Sequence, residues 1–372
     1  MTNRFRDLAA LGQSLWYDNI QRRLLLPAPG AEQALLAGMI ERGEIQGLTS
    51  DPTIFHNAIA GSNDYDHVML PLALFSTSAE QIFWQIAIED IRLACDLFQP
   101  LYQRTSGGDG YVSLEVDPFL ANDTGGTVAQ ARQLWTNVDR PNLMIRIPAT
   151  RPGIPAIRQV IAAGINVNVT LIFSLERYQR VMEAYLDGLE DCLLSGGDIE
   201  NIHSVASFFV SPVDSSIDPL LPDGSPLRGK TAIANAKLAY DQFRVFFAGP
   251  RFGKLQLAKA NFQRPLWAST GTKNLAYSDT LFVDGLIGPA TVNTLPPATL
   301  EAFRDHGCPA MTLLDNVQAA REQIEALEEL GISMQAVSAE LEAEGLHSFQ
   351  QAFSALLQTI DQRRAVFLSP MD

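Results

Sequence analysis

Arg146 stands inside an apolar run, Leu143-Met144-Ile145-Arg146-Ile147-Pro148, and other runs along the chain each carry a comparable polar residue. These are Asp18, Asp51, Glu115, Asn168 with Thr170, Ser207 and, just past a seventh run, Lys273. An ionisable group in an apolar strand bears a desolvation cost, so it persists where it is paired or where it works. Together the set offers carboxylates to move protons and a permanent cation to grip a carbonyl, carboxylate or oxyanion. Arg146 cannot itself form a Schiff base, because a guanidinium with a pKa above about 12 does not shed its proton in proteins. Lysine is scarce: Lys230, Lys237, Lys254, Lys259 and Lys273 lie in one stretch, and none precedes them.

The elements that must position these residues read as strands separated by helix-length amphipathic segments, the alternation of βα units around a parallel sheet. Candidate strands are Ser14 to Asn19, Gln46 to Asp51, Tyr111 to Asp117, Asn142 to Pro148, Asn166 to Phe173, Ser204 to Ser211, Pro265 to Thr270 and Thr280 to Leu286. Apolar residues at three- and four-residue spacing predict helices over Ala31 to Arg42, Ala79 to Tyr102, Leu175 to Leu194 and Lys230 to Phe247. Further helices are expected over Pro297 to His306 and Leu314 to Val366, interrupted near Gly331 and Gly345. The expected fold is α/β, a single (β/α)8 barrel domain over residues 1–372, with 297–372 mainly C-terminal helices. In such barrels the strands' C-terminal ends carry the active site, where the polar set falls.

Composition narrows the partners. A net charge of −15 in 372 residues argues against nucleic acid, whose binding draws on clustered cations. Cys95, Cys192 and Cys308 form no CxxC pair, and the five histidines have no metal-ligand spacing. Buried thiols and no metal site are therefore expected. No apolar run approaches the roughly 20 residues that span a bilayer, and the N-terminus lacks a secretory apolar core. A small-molecule substrate and a cytoplasmic setting follow as expectations.

Longer stretches carry a more specific signal. Ser14-Leu15-Trp16-Tyr17-Asp18, Gly47-Leu48-Thr49-Ser50-Asp51-Pro52-Thr53-Ile54-Phe55, Val112-Ser113-Leu114-Glu115-Val116-Asp117-Pro118 and Asn166-Val167-Asn168-Val169-Thr170-Leu171-Ile172-Phe173-Ser174 are joined by Ser204-Val205-Ala206-Ser207-Phe208-Phe209-Val210-Ser211 and Trp267-Ala268-Ser269-Thr270-Gly271-Thr272-Lys273-Asn274. In these segments nearly the whole chain resembles the long bacterial form of transaldolase. The resemblance implies a barrel that moves a dihydroxyacetone unit between sugar phosphates through a lysine Schiff base on the fourth strand. It implies Asp18 as the acid/base of carbon-carbon cleavage, and Glu115 and Thr170 as the pair that activates a water. Asn168 and Ser207 would bind the substrate's hydroxyls and Lys273 would meet a phosphate; no metal or organic cofactor is implied, and a homodimer is possible. Thr49 and the pocket-wall Phe209 are further candidate substrate contacts.

Three departures from that pattern fall on the site. Arg146 stands where the lysine is expected, Asp51 where an asparagine is expected, and Pro212 where a phosphate-binding arginine is expected. Arg146 and Asp51 would then form a charge-assisted pair. The favoured expectation is a repurposed enzyme without imine chemistry: acid/base and electrostatic catalysis by Asp18, Asp51, Glu115, Arg146 and Thr170 on a substrate less dependent on phosphate. A catalytically silent metabolite- or protein-binding relative is the second expectation, and a transaldolase of the pentose phosphate pathway the third.

Overall fold

The computed structural model describes residues 3–75 and 78–368. Eight strands close into a barrel in chain order, each paired in parallel with the next. They are β1 (Gln13–Asp18), β2 (Gly47–Thr49), β3 (Tyr111–Glu115), β4 (Leu143–Pro148), β5 (Val167–Ile172), β6 (Ser204–Phe209), β7 (Arg264–Ala268) and β8 (Thr291–Leu295). Seven of the predicted strands fall on these. The eighth was misplaced: Leu281–Asp284 is a short helix, and the barrel closes through Thr291–Leu295, whose Val292 lies beside Ser14 of β1. A short apolar run such as Leu281-Phe282-Val283 carries no period that separates helix from strand.

Side chains alternate across each strand. Leu15, Val112, Leu114, Ile145, Ile147, Val167, Val169 and Phe208 face outward into the main core between sheet and helices. Inside, Trp16, Tyr111, Met144, Val205, Leu266 and Val292 fill the lower barrel with apolar volume. Gly47 is required by this filling, because a Cβ there would sit 2.6 Å from the Trp16 indole. Asp18, Glu115, Arg146, Asn168, Thr170 and Ser207 occupy the next inward positions toward the C-terminal ends of the strands.

The flanking helices follow their amphipathic patterns. Leu175–Leu194 and Pro297–His306 form as read, Ala79–Arg104 and Thr231–Phe247 shift by a residue or two, and the first shortens to Leu35–Glu41. After Val317–Glu329 the chain breaks at Gly331 as expected, but the final helix Met334–Leu368 runs uninterrupted through Gly345. Gly345 is there for contact: a Cβ would come within 2.9 Å of Leu171 Cδ2. This last helix lies across the C-terminal mouth, packed on the helices Pro52–Ala60 and Ala79–Arg104 and on β5. Phe353 anchors it edge-on to Phe83 at 5.4 Å.

Candidate functional site

Register brings the polar set into one ring. Asp18 lies beside Thr49, Glu115 beside Arg146, Arg146 beside Asn168 and Pro148 beside Thr170. Past Thr170 the β5–β6 register slips, and Leu171 takes a left-handed φ of 59°. A bulge of this kind turns a strand locally and re-aims the side chains beside it, here at the edge of the ring.

Arg146 is buried at the centre. Its guanidinium donates to the Ser50 carbonyl at 3.0 Å and to Thr170 Oγ1 at 2.9 Å. Nη1 stands 3.5 Å from Glu115 Oε2 and 3.8 Å from Asp51 Oδ2. The expected charge-assisted pair with Asp51 is present only as a 3.8 Å ion pair: the close hydrogen bonds go to neutral oxygens, and the Asp51 and Glu115 carboxyls flank the cation at longer range. Asp51 is otherwise occupied, since its Oδ1 caps the helix Pro52–Ala60 by accepting from the Ile54 amide at 2.9 Å. A ring face completes the enclosure, with Phe349 of the last helix 5.5 Å from the guanidinium carbon.

The carboxylates differ in charge state. Burial pushes the Glu115 carboxyl up to about 8; Arg146 opposes the shift, while Asp51 and Asp18 add to it. Neither Glu115 oxygen has a hydrogen-bond partner among the described residues. Asp18 is raised to about 6 by burial and by the Asp51 charge, against a 2.5 Å hydrogen bond from Thr49 Oγ1 and the pull of Arg146. At neutral pH, Glu115 holds a proton and Asp18 accepts one. Two carboxyls whose environments push their pKa values apart form an acid/base pair.

Below this ring, Ser207 Oγ donates to Asn168 Oδ1 at 2.7 Å, and Asn168 Nδ2 donates to Ser113 Oγ at 2.9 Å. All three are buried, a polar belt across β3, β5 and β6. Phe209 is half-buried, packed on Phe173 at 5.1 Å. Lys273 is exposed and lines a separate groove of about 260 Å³ with Ser211, Asp214, Asp218, Thr272 and Tyr277. There burial raises the Asp214 carboxyl to about 7, and Tyr277 donates to Asp218 at 2.6 Å. No described contact joins Lys273 or Phe209 to Arg146.

Sequence reasoning missed Phe349, Ser50, Ser113 and Thr294, whose hydroxyl meets that of Thr49 at 2.6 Å. Ser113 and Thr294 were legible in principle, as inward positions of their strands. Ser50 acts through its carbonyl and Phe349 arrives from a helix far along the chain, so neither had a local signal. Cys95 and Cys192 are buried as expected, whereas Cys308 is exposed. Among the described residues, no cluster of three His, Cys, Asp or Glu could hold a metal, and no helix is long and apolar enough to cross a membrane.

Residues 15–360 match the family model described as Transaldolase/Fructose-6-phosphate aldolase. A protein of Parafrankia sp. (strain EAN1pec) named transaldolase is 47% identical over 369 residues, covering 98% of both chains. Transaldolase 1 of Streptomyces coelicolor is 47% identical over 95% of this chain and 93% of its own. The transaldolase of Thermobifida fusca is 47% identical over 98% of this chain and 99% of its own. These similarities overturn the expectation of a repurposed enzyme lacking ordinary transaldolase activity, because near half-identity from end to end favours the third expectation over the first. The chain belongs to the transaldolase/fructose-6-phosphate aldolase family.

Proposed function

We propose that this protein is a transaldolase of the pentose phosphate pathway, transferring a dihydroxyacetone unit between sugar phosphates. The observation that carries the reading is end-to-end similarity to proteins of that name. The site geometry supports it: a carboxylate that ionises near 6, a carboxyl that holds its proton to about 8, and hydroxyl groups facing one enclosed centre. In this reading Asp18 takes and returns the proton of carbon-carbon cleavage. Glu115 and Thr170 serve the water, Thr49, Asn168, Ser207 and Phe209 contact the sugar, and Lys273 meets the phosphate. The chain acts as one barrel domain in the cytoplasm, as a homodimer by family likeness.

Arg146 holds, in this reading, the fourth-strand position of the family's Schiff-base lysine. A guanidinium offers no amine to a ketone. An imine in this chain must then use one of its five lysines, of which Lys273 lines the groove at the strands' C-terminal ends. A coupled assay with fructose 6-phosphate and erythrose 4-phosphate tests the proposal. Turnover is expected from the native chain, and Arg146→Lys is expected to raise kcat/KM at least about 100-fold by placing an amine beside the general acid. Borohydride reduction with fructose 6-phosphate then identifies the lysine that carries the sugar. No transfer by the native chain overturns the proposal, whether or not the Arg146→Lys enzyme is active.

A further inference from the structure

A groove of about 490 Å³ lies outside the ring, between the chain ends leaving β4 and β5 and the start of the last helix. Its wall includes Arg151, Arg177, Arg180, Ser174, Gln335 and Ser338. Three guanidinium groups share one groove in a chain whose net charge is −15. Two have carboxylate neighbours: Arg177 meets Glu342 of the last helix at 3.0 Å, and Arg180 meets Glu176 at 3.6 Å, both of the latter pair being largely exposed. Arg151 is exposed, with no hydrogen bond or ion pair among the described residues.

The charges leave an excess of one cation after both glutamates are counted. The 20-residue helix Leu175–Leu194 also begins at this groove; Ser174 Oγ caps it by accepting from the Arg177 amide at 3.1 Å, and its dipole adds to the positive side. The groove's volume falls in the range of small-molecule sites, roughly 300–1,000 Å³. A free phosphate would leave most of it empty, while Gln335 offers an amide and the hydroxyls of Ser174, which accepts from the Arg177 amide, and Ser338, which donates to the Phe173 carbonyl, each keep one further hydrogen bond for a polyol.

We propose that this groove is a second ligand site, which takes a phosphorylated sugar with its phosphate on Arg151 and Arg180 at the helix N-terminus. The residues are distinct from those of the catalytic ring and from the Lys273 groove, so this site stands or falls separately from the transaldolase reading. Arg177 bridges to the last helix, which also carries Phe349 over Arg146. An occupant would therefore touch the element that covers the catalytic ring.

Isothermal titration of the full-length protein with fructose 1,6-bisphosphate and with inorganic phosphate tests this. The native chain is expected to bind the bisphosphate at least tenfold more tightly than inorganic phosphate. Arg151→Ala/Arg180→Ala, two exposed positions, should weaken bisphosphate binding at least tenfold, and the single variant Arg151→Glu should weaken it similarly. Arg321→Ala, at an exposed arginine outside both grooves, should leave it unchanged. No binding by the native chain, equal affinity in native and groove-arginine variants, or an equal loss in Arg321→Ala would each overturn the proposal. Equal affinity for bisphosphate and inorganic phosphate would overturn its sugar component.

Discussion

The two ends of the barrel each hold an arginine beside carboxylates, and they are built differently. At the N-terminal end, Arg264 donates to Asp109 at 2.9 Å and to Ser14 at 3.0 Å, while Ser14 donates to Asp109 at 2.7 Å. At the C-terminal end, the more deeply buried Arg146 keeps its carboxylates 3.5 and 3.8 Å away. Glu115 there has no hydrogen-bond partner among the described residues. The first arrangement satisfies its groups and holds the barrel closed. The second leaves Glu115 and Asp18 with raised pKa values facing an enclosed centre, a cost that a purely structural network avoids. Barrel enzymes divide labour in this way, with stability at one end and chemistry at the other.

The contrast is sharpest for Asp18→Asn, which removes the group poised to accept a proton. It should lower kcat in the transfer assay by about 10²–10⁴-fold with little change in melting temperature. An equal loss of stability would place Asp18 with the structural end. Asp109→Ala should do the reverse. It leaves Arg264 half-paired and should cost about 2–3 kcal/mol in urea unfolding, below the range for fully buried pairs because both groups are partly exposed. Its pH–rate profile should match that of the native enzyme.

A smaller effect separates the ends by pH. Glu115 binds its proton more tightly folded than unfolded, since its pKa rises from the usual carboxylate value to about 8. The folded state then carries the extra proton between about pH 4.5 and 8, so this group makes stability fall as pH rises through that window. Glu115→Gln should flatten the decline, measured as urea midpoints at pH 5 to 8. At the other end the sign is opposite. Burial, with Arg264 nearby, pushes the His203 imidazole down to about 4, so its contribution is lost as pH falls from about 6.5 toward 4. His203→Gln should reduce acid sensitivity below pH 6. This is the smallest of the four effects, and its absence would show that the N-terminal end is wetter than its burial implies.

Much of the site was legible because strands alternate. Once β1, β3, β4, β5 and β6 are located, Asp18, Glu115, Arg146, Thr170, Asn168 and Ser207 share the inward parity of their strands, and a parallel barrel gathers their C-terminal ends. The eighth strand was misread because its polar sequence Thr291-Val292-Asn293-Thr294-Leu295 looks less strand-like than the apolar run before it. Pairing with β1 on one side and β7 on the other decides the matter. The Arg146–Asp51 pair forms, but at 3.8 Å and without a hydrogen bond, because Asp51 also has a helix to cap.

By itself the sequence determined which residues face inward, the family, and the presence of a cation without a transferable amine on the fourth strand. Those follow from side-chain chemistry and a two-residue period, which are local. Tertiary structure alone decided that Arg146 leans on Ser50 and Thr170, that burial raises the Glu115 carboxyl, and that a helix some 200 residues downstream lays Phe349 over the site. Desolvation and distance between charges set these properties, and neither exists until segments remote in the chain are packed together.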